Sequence, residues 1–453
     1  MVVTVENYSS DFWIFGESVN LRSIFAIESS RPNLGIIISF GLRILNLVFS
    51  FITIPILLRK MSDIDYSIWV TLTSLLVWIS LMDFGVGNGL KNHIAKNIDQ
   101  TNTEESKTII GTFQLYLAFS VVISILVLIL IRIIPVLNEK PLLSVILYIP
   151  AIFLFPFTTF SAVLQGRCEN TYLSFILLIK KMWILLFLPF SLILNLSTLD
   201  LAAILFNVFS IVFALILLIS VKRKYPFTIK TIVDFRNVVS SFPLLKIGIK
   251  FFSLQITSLI LFNIGNYIVY SFFNTQVIYY DTLNKVFFNL ISFFNINISI
   301  FWTQYTTAMG RNDYNRFIWL KGRLKRNYAV FIGIATLISL ILPKFIFIWT
   351  HARIIVSYAD VIPFWILVIL QSGNYYGAVL LNASGKINLQ VLVALLSCLF
   401  FLALIFCLMR FDIISTYIVV PIATSITLVP GFILYNLKSV LISKEFLENA
   451  RTA

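Results

Sequence analysis

Charge is what this 453-residue sequence has least of. Asp, Glu, Lys and Arg make up 12% of it, against about 25% in a soluble domain. Too few ionic residues remain to solvate the surface of a water-soluble fold of this size. Three cysteines give no disulfide framework, and two histidines far apart, His93 and His351, make no metal pair. No Walker motif and no nucleophile elbow occurs, and no loop is long enough to be a soluble catalytic domain. The first thirty residues lack a basic start followed by a short apolar core, so no cleavable signal peptide is expected. These absences argue against a cofactor, a metal site, an enzyme and a nucleic-acid partner.

What the sequence has is hydrophobic length. Apolar residues are 59% of the chain, and they come in runs of membrane-spanning size. A bilayer core about 30 Å thick takes roughly 20 apolar residues as a helix. A membrane barrel would alternate apolar and polar residues instead. Spans are expected at about 33–58, 65–86, 108–131, 141–164, 172–195 and 200–221, then at 244–270, 277–303, 327–349, 359–381, 387–409 and 414–437. Pro55, Pro150, Pro156, Pro189, Pro363 and Pro421 fall inside them and predict kinks. The expected organisation is a tail (1–32), an N-lobe (33–221), a basic linker (222–243), a C-lobe (244–437) and a second tail (438–453). The first tail reads as cytoplasmic, and a helix on the membrane surface is one form it would take.

The +14 net charge serves as a topology signal. With the N-terminus inside, cytoplasmic segments hold 21 of the 34 Lys and Arg, and outer loops hold six: Arg59, Lys60, Arg132, Lys140, Arg353 and Arg410. The positive-inside rule then puts both termini in the cytoplasm. The fold class is all-α and polytopic, with about twelve transmembrane helices in two six-helix lobes. A shift of 207 residues lays Ser39, Gly41, Arg43, Asn46 and Ser50 on Lys246, Gly248, Lys250, Ser253 and Thr257. Parallel repeats of this kind place a substrate site between the lobes in many secondary transporters.

The sharpest chemical signal is the polar stripe of the first span. Ser39, Arg43, Asn46, Ser50 and Thr53 follow one helical face. An arginine at that depth costs about 2.5–3.5 kcal/mol on insertion scales and must face protein or water. The seventh span repeats the stripe with Lys246, Lys250, Ser253 and Thr257, and the eighth carries Asp281, Lys285, Asn289, Ser292, Ser299 and Thr303. One reading is a wet cationic chamber for an anion such as a phosphate. The other is structural: Lys285 pairs with Asp281 one turn away, and Lys246 snorkels to the surface. Lys180 and Lys181 lie about a third of the way into the bilayer if their span starts near Tyr172, and at the interface if it starts later. Asp83 either carries a coupling proton or caps the turn after it; Asp281 is the other candidate for ion coupling. Gly85, Gly87 and Gly89 follow no strand, so they make no phosphate loop; they suit close helix packing or a sharp exit turn.

Tyr66 to Asn92, YSIWVTLTSLLVWISLMDFGVGNGLKN, with the preceding PILLRKMSDIDYSIW (Pro55 to Trp69), carries a family resemblance. It is similar to the corresponding region of Wzx-type O-antigen flippases. These form part of the polysaccharide-transporter branch of the multidrug/oligosaccharidyl-lipid/polysaccharide exporter superfamily. The twelve-span plan matches over nearly the whole chain, while the long N-terminal tail departs from the usual short one. The resemblance implies alternating-access transport of an undecaprenyl-diphosphate-linked oligosaccharide across the bacterial inner membrane, among membrane lipids and other O-antigen assembly proteins. Arg43, Lys250, Lys285, Lys180 and Lys181 would then meet the diphosphate, and Asn46, Ser50, Asn289 and Asn295 the sugar. A membrane polymerase or ligase is the enzyme alternative, disfavoured by the short outer loops. A drug or cation antiporter of the same superfamily is the other, disfavoured by the mainly basic intramembrane charge.

Overall fold

The computed structural model describes residues 11–14, 17–20, 32–96, 103–167, 169–193, 197–225, 231–232, 234–384, 386 and 388–452. Almost all of this is helix. Two strands, Asp11–Ile14 (β1) and Glu17–Asn20 (β2), make an antiparallel ribbon with Asp11 opposite Asn20 and Trp13 opposite Ser18. The tail segment expected as a surface helix is therefore extended here. Phe12, Trp13, Ile14 and Val19 are strand formers, and eight residues that include two acids, a serine and an asparagine offer no helical stripe.

The helices in chain order are α1 (Pro32–Lys60), α2 (Asp63–Leu76), α3 (Val86–Lys96), α4 (Thr103–Ile133), α5 (Pro135–Glu139), α6 (Pro141–Leu154), α7 (Thr158–Gly166), α8 (Asn170–Lys181), α9 (Trp183–Ile193) and α10 (Thr198–Lys222). They continue with α11 (Phe242–Phe262), α12 (Gly265–Phe273), α13 (Val277–Gly310), α14 (Tyr314–Trp349), α15 (Tyr358–Ala383), α16 (Asn388–Arg410) and α17 (Val419–Thr452). Among the described residues nine stretches are long and apolar enough to cross a membrane. One of them, Gln255–Asn295, runs through the break at Asn274 and holds two crossings. Two further expected spans coincide with α1, and with α2 and the 3-10 turn Val77–Asp83 after it. The chain is an all-α polytopic membrane protein.

Its surface says the same. Val121, Val122, Ile125 and Leu126 of α4 are more than half exposed, as are Leu337, Leu340 and Ile341 of α14. Such contiguous apolar surface is tolerated where the solvent is lipid. Helix starts at the membrane ends are capped. Ser62 Oγ accepts from Asp65 N at 3.1 Å, and Ser197 Oγ from Asp200 N at 3.1 Å. Ser357 and Asp360 form a reciprocal capping box at α15. Of the six prolines read as kinks, Pro156 sits in the 3-10 break between α6 and α7, and Pro421 in the first turn of α17, where a missing N–H costs nothing.

Two compact units form. The first comprises Met1–Thr53, Asp83–Ile129 and Val145–Gly248. Its core is aromatic: Phe113 stacks on Phe160 at 5.3 Å, and Tyr116 meets Phe155 at 4.7 Å. Gln114, fully buried in α4, donates its amide hydrogens to the carbonyls of Thr231, Ile232 and Asp234, which fastens the basic linker to this unit. The second unit comprises Ile54–Met82, Leu130–Ser144 and Ile249–Ala453. There α15 is the central helix, with two thirds of its apolar window buried. Phe294, Phe301, Tyr305, Phe317, Leu320, Val379 and Phe446 join α13, α14, α15 and α17 in one cluster. The division cuts through α1, α4, α6 and α11 because α2 and the corner from the end of α4 to the start of α6 pack on later helices of the chain.

Candidate functional site

In the first unit, α1 and α8 present their polar residues to each other. Asn46 Nδ2 donates to the Leu42 carbonyl at 3.0 Å and to the Ser174 carbonyl at 3.3 Å. Lys181 Nζ donates back to the Asn46 carbonyl at 3.2 Å. Asn46 Oδ1 is buried with no hydrogen-bond partner. A bare amide oxygen in a low-dielectric interior is costly, which makes it an acceptor held ready for a donor. Thr53 turns back on its own helix, to the Phe49 carbonyl at 2.7 Å. Ser50 lies half-buried between them on α1. Arg43 and Lys250 belong to the backbones of α1 and α11, but their side chains lie outside the described residues, as do those of Ser39 and Lys246.

Lys180 and Lys181 are the last two residues of α8, and the chain turns at Met182 before α9 begins. The membrane stretch that contains them runs Thr171–Ile193. Both lysines stand near the middle of that stretch. A helix that ends there leaves carbonyls unsatisfied and a partial negative charge at its C-terminus. Two ammonium groups in the last turn answer that charge. Lys180 Nζ also lies over the rings of Phe206 and Phe213 on α10, at 5.6 and 5.4 Å from their centroids. Among the described residues Lys180 makes no ion pair.

Asp83 closes the 3-10 turn after α2. Its Oδ1 accepts from Gly85 N at 2.8 Å, and Phe84 and Gly85 follow at φ +46° and +72°. This is the cap geometry. The glycines after it seat the turn: a Cβ on Gly85 would stand 2.2 Å from the Gly248 carbonyl oxygen, and one on Gly89 3.2 Å from that of Leu244. They serve close packing against α11, without a phosphate loop.

In the second unit, Asp281 is 2% exposed on α13. It receives Lys285 Nζ at 2.6 Å, Asn266 Nδ2 at 3.0 Å and Tyr66 Oη at 3.4 Å. The structural reading of Lys285 is thus the one the geometry follows: its ammonium is bound by the carboxylate one turn away. Asn289 lies half-buried a turn beyond, and Asn295 is exposed. The same unit carries an ionic seam at the α2 start. Arg353 bonds Asp63 and, at 2.9 Å, the Met61 carbonyl; Lys140 Nζ meets Asp65 at 2.8 Å. Tyr270 Oη donates to Glu139 Oε2 at 2.5 Å.

Two features escape a reading by motif. Glu105 of α4 is only 3% exposed, beside a cluster in which Arg167 Nη1 donates to Tyr225 Oη at 3.1 Å and Arg167 Nε meets Glu169 at 3.2 Å. Burial pushes the Tyr225 phenol upward, against the pull of Arg167. In the sequence Glu105 stands in a charged loop-like run, so nothing marks it as buried. The second is a set of amides on α15 and α16, Gln371, Asn374 and Gln390. The i, i+3 spacing of the first two inside an apolar run was the available signal.

No protein-family profile matches the sequence, and no curated protein matches it. Solved structures do. An inward-facing multidrug resistance MATE family transporter of the MOP superfamily aligns over 90% of this chain and 99% of its own, with TM-score 0.60 and 12% identity. An outward-facing transporter of that family aligns over 92% and 95%, with TM-score 0.61 and 13% identity. A MOP superfamily transporter from Pyrococcus furiosus, described as having a binding pocket of reversed polarity, aligns over 91% and 94%, with TM-score 0.63 and 11% identity. The chain has the fold of MOP superfamily transporters.

Proposed function

We propose that this protein carries an undecaprenyl-diphosphate-linked oligosaccharide, an O-antigen or related repeat unit, across the bacterial inner membrane by alternating access. The observation that carries the reading is the pair Lys180 and Lys181, near mid-span at the end of α8 and bracketed by α1 and α10. Two ammonium groups held at that depth suit a diphosphate, which needs charge-assisted donors where water is scarce. The fold supports transport rather than catalysis, since the solved relatives are transporters and some of them adopt opposite-facing states. Arg43 and Lys250 keep their proposed places on the diphosphate, and Asn46 and Ser50 beside the sugar. Lys285 leaves that set, being bound by Asp281.

A second reading has an observation of its own. Glu105 is a buried carboxylate in a spanning helix, and buried carboxylates suit proton- or cation-coupled drug export. The two readings separate by binding. Full-length protein in nanodiscs is titrated with undecaprenyl diphosphate and with a cationic dye. The flippase reading expects the lipid to bind and Lys180→Gln with Lys181→Gln to weaken it by about tenfold, about 1.4 kcal/mol. Saturable dye binding with no lipid binding would favour the antiporter.

A further inference from the structure

The second unit has a half-open cavity of about 170 Å³ between α11, α15, α16 and α17, lined by fifteen residues of which none is charged. Its polar lining is amide and hydroxyl: Thr257 and Ser258 on α11, with Gln371, Asn374, Tyr375, Gln390, Ser397 and Tyr435. Part of the hydrogens of these groups is spent inside the protein. Asn374 Nδ2 donates to the carbonyls of Leu370 and Leu428 at 2.9 and 3.1 Å. Gln371 Nε2 donates to Tyr375 Oη at 3.2 Å, and Gln390 Nε2 to Asn382 Oδ1 at 2.8 Å. Ser397 Oγ donates to the Thr427 carbonyl at 2.9 Å, and Tyr435 Oη to that of Gln390 at 3.3 Å. The amide oxygens and hydroxyl lone pairs remain as acceptors, and the second amide hydrogens of Gln371 and Gln390 remain as donors, so the wall offers both without a charge.

Such a wall selects its ligand by being polar without charge. An anion such as phosphate would be expected to find a lysine or arginine, and the lining has none. An organic cation would be expected to find a carboxylate, and the lining has none. A neutral polyol brings several O–H donors and no charge. Size agrees: a cavity of about 150 Å³ accepts one six-membered ring, and tyrosine rings at Tyr375 and Tyr435 offer faces for the apolar side of a sugar. Gly431 keeps the space, since a Cβ there would stand 2.4 Å from Asn374 Oδ1. A second, smaller cavity of about 20 Å³ shares Gln371 and continues toward Asn284 and Thr424.

We propose that this cavity is a binding site for one neutral sugar ring of the transported saccharide, held by its hydroxyl donors on Gln371, Asn374 and Gln390. The proposal rests on the reading of the protein as a carrier of lipid-linked oligosaccharide. It places recognition of sugar apart from the diphosphate site on α8, on separate side chains.

The test is protection of a reporter thiol in full-length protein in nanodiscs. Cys168, Cys398 and Cys407 are replaced by serine and Ser397→Cys is introduced; Thr257→Cys is a second reporter should the first fail to fold. Maleimide labelling is timed with N-acetylglucosamine or galactose, with glucuronate, and with sodium chloride against potassium chloride. The neutral sugars are expected to slow labelling, and Gln371→Leu to weaken that protection by about tenfold, as for a well-made hydrogen bond lost from a dry pocket. Labelling unaffected by neutral sugars overturns the proposal, as does equal protection by glucuronate or by sodium. Undecaprenyl diphosphate without sugar is titrated in parallel. Lipid binding with no sugar protection sinks the cavity alone, whereas sugar protection without lipid binding sinks the carrier reading and leaves the cavity standing.

Discussion

Lys285 and Asp281 are one helical turn apart on α13 and 2.6 Å apart in space, the carboxylate 3% exposed and the ammonium side chain 35% exposed. A lysine that sequence alone offers to a phosphate is thereby tied to its own helix. Asn266 and Tyr66 add two more donors to the same carboxylate. The group fastens α2, α12 and α13 together.

Removing one member should destabilise the fold, because the other charge stays behind in a dry site. Lys285→Met alone should cost about 1–3 kcal/mol, and Lys285→Met with Asp281→Asn clearly less than the sum of the two singles. Thermal unfolding in detergent, run as a double-mutant cycle, measures the coupling. Additive losses would show that the pair does not act as a unit.

Lys180 and Lys181 should behave differently. Lys180 makes no ion pair among the described residues, and Lys181 Nζ is given to the Asn46 carbonyl, unlike Lys285 on Asp281. Lys180→Gln with Lys181→Gln should leave the melting temperature within a few degrees and lower surface polysaccharide by about tenfold in complemented cells. Lys180→Arg should retain activity, since a guanidinium also stacks on Phe206 and Phe213. A loss of protein level equal to the loss of transport would turn these lysines into structural residues.

Gly85 and Gly41 make a controlled comparison. Gly85 has φ +72° and no room beyond its Cα, whereas a Cβ on Gly41 meets nothing within 4 Å. Gly85→Ala should destabilise by more than about 2 kcal/mol or abolish folded yield, through strain and overpacking together. Gly41→Ala should be neutral or stabilise by about 0.5–1 kcal/mol, as expected of alanine in a helix. Fluorescence-detected size exclusion with a thermal ramp distinguishes the two. Equal tolerance of both would contradict the Gly85–Gly248 contact.

The seam at the start of α2 gives a conformational prediction. Asp63 and Met61 hold Arg353, so residues from the first and last thirds of the chain meet there. Asp63→Cys with Arg353→Cys should form a disulfide under mild oxidation. If transport requires these segments to part, oxidation stops it and reduction restores it. Neutralising the pair as Asp63→Asn should cost no more than about 1 kcal/mol of stability, because both side chains are partly exposed. Full transport by the oxidised protein would assign the seam to a part that does not move.

Much of the molecule was legible before any coordinates. Run length and the scarcity of charge set the spans, since a bilayer asks only for about 20 apolar residues and leaves composition to report it. The expected orientation rests on Lys and Arg counts alone, since loop charge acts one residue at a time and needs no partner. The pairing of Lys285 with Asp281 was one of two readings open at i, i+4 spacing, which fixes reach but not burial.

Contacts between distant segments were beyond that kind of reading. Nothing in the order of residues says that Tyr66 and Asn266 will meet on Asp281, that Glu105 will be buried, or that Gln371, Asn374 and Gln390 will surround one cavity. Span and topology are local or additive properties, written in composition and counts. Which hydrogens are spent and which lone pairs are left over depends on neighbours brought together from helices far apart in the chain, and only packing decides that.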